Sequence, residues 1–126
     1  MSAFDRKFPT RRNVLDVEIA INTAVSGTIS LGVGLRTLLG VLMPAGWTAA
    51  SMTFAVSVDD STYVPLHYRG EEYEITAAGG AAAGLAVTID PAAIAGWPYV
   101  RIRSGTAGTP VNQLAKRSFQ VLTRVV

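Results

Sequence analysis

The chain has no cysteine and a single histidine, His67. Without thiols there is no disulfide framework and no thiolate zinc site. One imidazole leaves little material for a histidine metal cluster or for a Ser-His-Asp triad. Charge is scarce as well, at 16% of residues against 49% hydrophobic. That balance makes a packed core available and argues against general disorder. An uninterrupted membrane-spanning run is also missing. Residues 37–58 carry no charge and are long enough to cross a bilayer. However, Pro44-Ala45-Gly46 breaks them, and their second half alternates with Thr and Ser, as two buried strands joined by a turn would. No secretory leader is expected, because Asp16 and Glu18 follow the basic start in place of an apolar stretch.

What is present points to an all-β chain. Within 126 residues there are 12 Gly and 6 Pro, and the apolar residues fall in short alternating runs. Met52, Phe54, Val56 and Val58 alternate with Thr53, Ala55 and Ser57, which predicts a strand with one buried face. Asp59-Asp60-Ser61-Thr62 stops that run with side chains that bond back to their own backbone. Tyr63, Val64 and Leu66 then resume it, giving a hairpin over residues 52–66. Further strands are expected over 14–21, 25–31, 37–43, 72–76, 85–89, 99–103 and 117–126. The low-complexity stretch 77–84 reads as a loop, and Asp90-Pro91 reads as an N-cap with proline opening one helical turn. The sum is an antiparallel β-sandwich or jelly roll of about eight or nine strands.

The basic residues are unevenly placed. Arg6, Lys7, Arg11 and Arg12 against Asp5 make the first twelve residues strongly basic, while the rest carries seven basic and eight acidic groups. Residues 1–13 are therefore expected to form an extended basic arm ahead of a sandwich domain at 14–126. Phe4 and Phe8 add apolar anchors to that arm. Asp59-Asp60 with Glu71-Glu72 offers oxygen ligands for a hard cation, but neighbouring carboxylates on a strand point to opposite faces and turn formation already accounts for Asp59. No metal, no cofactor and no catalytic constellation is expected. Tyr99, Arg101 and Arg103 share a strand face that suits either stacking on a ligand or simple solvation. Trp47, Trp97, Tyr99 and Arg101 are the candidate sugar contacts.

Two resemblances narrow the reading. Val56-Ser57-Val58-Asp59-Asp60-Ser61-Thr62-Tyr63-Val64-Pro65-Leu66, followed by Trp97-Pro98-Tyr99-Val100-Arg101-Ile102, resembles the galactose-binding-like (discoidin-type) jelly roll. That family pairs a Ser-x-Asp-Gly hairpin with an Ala-Arg-Tyr-Val-Arg strand. Here Asp60 stands at the usual hairpin Gly, and Trp97-Pro98 replaces Ala-Arg. The second resemblance rests on Met43-Pro44-Ala45-Gly46-Trp47-Thr48-Ala49-Ala50, the 59–66 hairpin, Arg103-Ser104-Gly105-Thr106 and Thr109-Pro110-Val111-Asn112-Gln113. As a set these are similar to small virion structural proteins of tailed bacteriophages.

The second resemblance implies a non-enzymatic part of a phage particle, assembled in the bacterial cytoplasm and present in repeated or oligomeric copies. A capsid decoration protein on the head lattice is the leading expectation, with the arm residues Phe4, Arg6, Lys7, Phe8, Arg11 and Arg12 contacting major capsid or tail proteins. A tail or head–tail connector component is the alternative within that class. A carbohydrate-binding module is the alternative outside it. Neither membrane nor nucleic acid is an expected partner.

Overall fold

The structure, a computed structural model, describes residues 12–32, 36–80 and 82–125. Ten strands follow in order: β1 (Arg12–Ile19), β2 (Ile29–Ser30), β3 (Arg36–Ala45), β4 (Met52–Ser57), β5 (Val64–Pro65), β6 (His67–Tyr68), β7 (Glu71–Glu72), β8 (Ala83–Thr88), β9 (Tyr99–Ser104) and β10 (Arg117–Val125). A 3-10 helix spans Thr76–Gly80, and one turn of α-helix, α1, spans Pro91–Ile94. Two antiparallel four-stranded sheets form, in the orders β1-β10-β3-β8 and β2-β9-β4-β5, with β6-β7 as a separate ribbon. The all-β antiparallel sandwich expected from the sequence is the fold observed.

Alternation builds the core. Val17 and Ile19 of β1, Val41 and Met43 of β3, and Phe119 and Val121 of β10 point inward from the first sheet. Phe54 and Val56 of β4 and Val100 and Ile102 of β9 meet them from the second. β10 lies between β1 and β3, so the β-branched end of the chain is paired on both sides and leaves no bare edge. At Asp90 the side chain accepts from the Ala92 N–H, and Pro91 opens α1 as the sequence predicted. The Asp59 turn is also as predicted: its carboxylate accepts from the N–H groups of Ser61 and Thr62.

Several details differ. Residues 52–57 are buried on both faces, not one, because the outer face of β4 is roofed by the chain's own loops. Val58 is 72% exposed, since the strand has already ended at Ser57 and the turn carries it outward. Ile21 is exposed for the same reason beyond β1. The strand expected over 25–31 contracts to β2, with Val25 making an isolated bridge to Arg103. Pro44 lies inside β3 instead of ending it. Thr76–Gly80 is helical, held by Ala78, which donates to the Ile75 carbonyl and is itself buried. The strand expected over 72–76 shrinks to β7 at Glu71–Glu72, because the chain turns into the 3-10 helix at Thr76, and its partner β6, not foreseen, brings the strands to ten.

Candidate functional site

The two outer sheet faces are treated very differently by the chain. Over β4 and β9 a polar roof is built from side chains that satisfy one another. Thr53 Oγ1 donates to the Gly105 carbonyl at 2.7 Å. Arg103 pairs with Glu72 at 3.3 Å, and Glu72 also accepts from the Ala107 N–H. The Arg101 guanidinium stacks over the Tyr63 ring at 4.0 Å, and its Nε donates to Thr28. Tyr63 in turn donates to Asp60. Burial, followed by that bond to Asp60, pushes the Tyr63 phenol up from its ordinary value. This network clamps the 52–66 hairpin to β2 and β9.

The outer face of β1-β10-β3-β8 carries no such roof among the described residues. Strand register lays two rows across it. The first is Val14–Leu122–Gly40–Thr88, and the second is Asp16–Gln120–Leu42–Ala86. Val14 is 59% exposed and Leu42 47% exposed. Between Leu38 and Gly40 the β3–β10 register shifts, so Leu38 stays in the core while Leu39 lines the outer face. Gly40 deepens the centre: a Cβ there would sit 3.0 Å from the Val87 carbonyl oxygen. The result is a groove of about 320 Å³ whose floor and walls are almost wholly apolar, from Leu39 to Leu42, Ala86 to Thr88 and Leu122. β1 stands outside it, beyond β10: exposed Asp16 lies in the row that runs through Gln120 to Leu42, and Glu18 two residues further along. Glu18 lies 3.8 Å from Lys116, with both side chains well exposed, a pairing that contributes little.

A second concavity of about 320 Å³ lies along the β6–β7 ribbon, lined by Tyr68, Arg69, Glu71, Glu72, Tyr73 and Glu74 among others. Tyr68 and Tyr73 meet edge to face at 5.7 Å, and Arg69 lies over the Tyr68 ring at 5.1 Å. Burial is the main cause that raises the Tyr73 phenol.

The residues singled out in the sequence do not gather at one place. Trp47 is a core residue, 2% exposed, packed edge-on against Phe119 at 5.4 Å with its indole N–H on the Ala50 carbonyl. It presents no ring face to a ligand, which corrects its assignment as a sugar contact. Trp97 packs half-buried against the core. β9 separates the two tryptophans: Trp97 and Tyr99 lie at its start, while Trp47 lies toward the end where Ser104 pairs with Met52. Arg101 is committed to Tyr63 and Thr28. Of the arm, Phe4, Arg6, Lys7, Phe8 and Arg11 lie outside the described residues, and Arg12 opens β1. Neither concavity was anticipated. Sequence signals for the groove did exist: Val14, Leu42 and Leu122 are apolar at the outward positions of their strands. Seeing that they meet on one face, in adjacent rows, requires the register.

Among the described residues, no group of three histidine or acidic side chains is placed to hold a metal ion, and no helix is long and apolar enough to cross a membrane. No protein-family profile and no curated protein matches the chain. Among solved structures, chitosan-binding module 1 from the chitosanase/glucanase of Paenibacillus sp. IK-5 is similar at 23% identity and a TM-score of 0.41, covering 92% of this chain and 79% of that one. A selenomethionine-labelled point mutant of the same module gives 23% identity, a TM-score of 0.43, and coverage of 85% and 74%. The capsid asymmetric unit of cyanophage Pam1 gives 16% identity and a TM-score of 0.26, over 100% of this chain and 98% of that one. No ligand or role passes from these structures to this chain.

Proposed function

We propose that this chain is a non-catalytic structural module that works by protein contact, carried in repeated copies on a tailed-phage particle as a head decoration protein. The observation that carries the reading is the apolar groove on the outer face of the β1-β10-β3-β8 sheet. A half-buried antiparallel sheet ordinarily offers polar residues to water on its outer side. A face of Val14, Leu39, Leu42 and Leu122 around a glycine dent is the kind of surface that protein covers. The resemblance of the 43–50, 59–66 and 103–113 segments to small virion proteins supplies the particle, and the low charged fraction suits a subunit packed among others. Quantitative mass analysis of purified particles tests this. Hundreds of copies per particle are expected for head decoration. About a dozen would move the module to the tail axis, and none would overturn the reading.

A saccharide-binding reading has its own observation, the cleft along β6–β7. Tyrosine rings can meet the apolar face of a sugar, and the Glu71 and Glu74 carboxylates can take its hydroxyls or an amine. Since two of the similar structures are chitosan-binding modules, chitosan oligomers are the first probe. Saturable binding that is lost in Tyr68→Ala would favour this reading over protein contact. No binding across an oligosaccharide panel would remove it.

A further inference from the structure

We infer that the groove on the outer face of β1-β10-β3-β8 receives residues 1–11 of a second copy of this chain, with Phe4 and Phe8 as the groups that enter it. This rests on the protein-contact reading above and gives that face its occupant. Four observations converge on this occupant.

The groove asks for apolar side chains. Its lining is formed by Leu39, Leu42, Ala86, Val87 and Leu122 around the Gly40 dent. Residues 1–11 supply two phenylalanines at a spacing of four. Side chains four apart project to one side both in a helical turn and in an extended chain. A buried aromatic ring removes roughly 150–250 Å² from water, so two of them make a contact of useful size.

The dimensions agree. Within the groove the row Leu122–Gly40–Thr88 crosses three strands, about 10 Å at the usual strand spacing, and the exposed Val14 on β1 extends it to about 14 Å. Phe4 and Phe8 stand about 6 Å apart on a helical turn or about 13 Å apart in an extended chain. Both spacings fit within the row.

The charges agree as well. Arg6, Lys7 and Arg11 against the single Asp5 make the segment basic. Asp16 stands exposed on β1 at the end of the row that leads through Gln120 to Leu42, with exposed Glu18 two residues beyond it. Arg124 belongs to the opposite end of the face, in the row Arg12–Arg124–Thr37, so like charges there direct the basic segment toward the Asp16 side.

The point of departure favours a second copy over the chain's own groove. Residues 1–11 join β1 at Arg12, its first residue, and β1 runs from there into the rows that cross the groove. To reach its own groove, the segment would have to reverse within the few residues between Phe8 and Arg12. Reaching a neighbour needs no reversal, and eleven extended residues cover up to about 36 Å.

The experiment uses the full chain and two variants, each checked for an unchanged fold by circular dichroism and thermal melting. Leu42→Lys damages the groove at a side chain that is already half exposed. Deletion of residues 1–11 removes the occupant. Light scattering over a range of concentrations is expected to show the full chain growing beyond one-chain mass while each variant alone does not. An equimolar mixture of the two variants should regain association, because one brings the segment and the other brings the groove. A mixture that stays at one-chain mass overturns the inference, as does a deletion variant that associates like the full chain. A full chain that remains single while its deletion variant binds a peptide of residues 1–11 overturns it in favour of the chain's own segment. Copy number on particles is measured independently, so a particle that carries the deletion variant normally leaves the protein-contact reading standing and this inference failed.

Discussion

Gly105 shows how one residue can fix the roof over the second sheet. Its φ is +86°, and a Cβ there would come within 2.5 Å of the Thr109 carbonyl oxygen and 2.8 Å of the Val111 nitrogen, both backbone atoms that cannot step aside. Its N–H donates to Ser51 and its carbonyl accepts from Thr53, so the turn locks β9 to β4 and to the loop that follows. Gly105→Ala is therefore expected to cost about 2 kcal/mol or more, through both positive-φ strain and the backbone clash. Gly108→Ala, where a Cβ meets nothing within 4 Å, should cost much less. Chemical denaturation of the two variants side by side measures the difference. The same scale explains one misreading. Trp47 has the sequence look of a surface aromatic in a connector, yet it packs on Phe119, a residue far along the chain that no local pattern links to it.

At the scale of elements, the 52–66 hairpin was the most legible feature, because its signals are local. The alternation of β4, the Asp59 turn and the return at Val64 all lie within one stretch, and the pairing Val56↔Val64 follows from them. Its pH response follows too. The backbone N–H groups of Thr62 and Ser61, then the Ser57 hydroxyl, hold the Asp59 carboxyl below its ordinary value of 3.8. A carboxyl held down in the folded state favours folding above that ordinary value, and the advantage is lost as pH falls through the lowered one. The stability gap between the wild type and Asp59→Asn should thus narrow as pH drops below 3.8, and unfolding curves taken from neutral to strongly acidic pH would show it. A gap constant across that range would mean the turn does not depend on the ionised carboxylate. The 3-10 helix at Thr76–Gly80 was not legible. Its alanines and glycines carry no periodic signal, and it exists because Ala78 finds space in the core.

For the whole molecule, fold class and strand positions were readable because burial imposes a period of two on each strand by itself. The candidate site was not, because it is a property of register. Val14, Leu122, Gly40 and Leu42 come from three separate strands, and only their pairing makes one surface of them. On the proposed reading, a chain that roofs one sheet with mutually bonded polar groups and leaves an apolar groove open on the other divides its faces between self-contact and contact with another protein. An image of the particle at side-chain resolution, with this protein located, tests that division most directly. The account predicts copies at repeated lattice positions, each with the Val14–Leu122–Gly40 row lying against protein. Copies absent from the particle, or present with that row open to solvent, would contradict it.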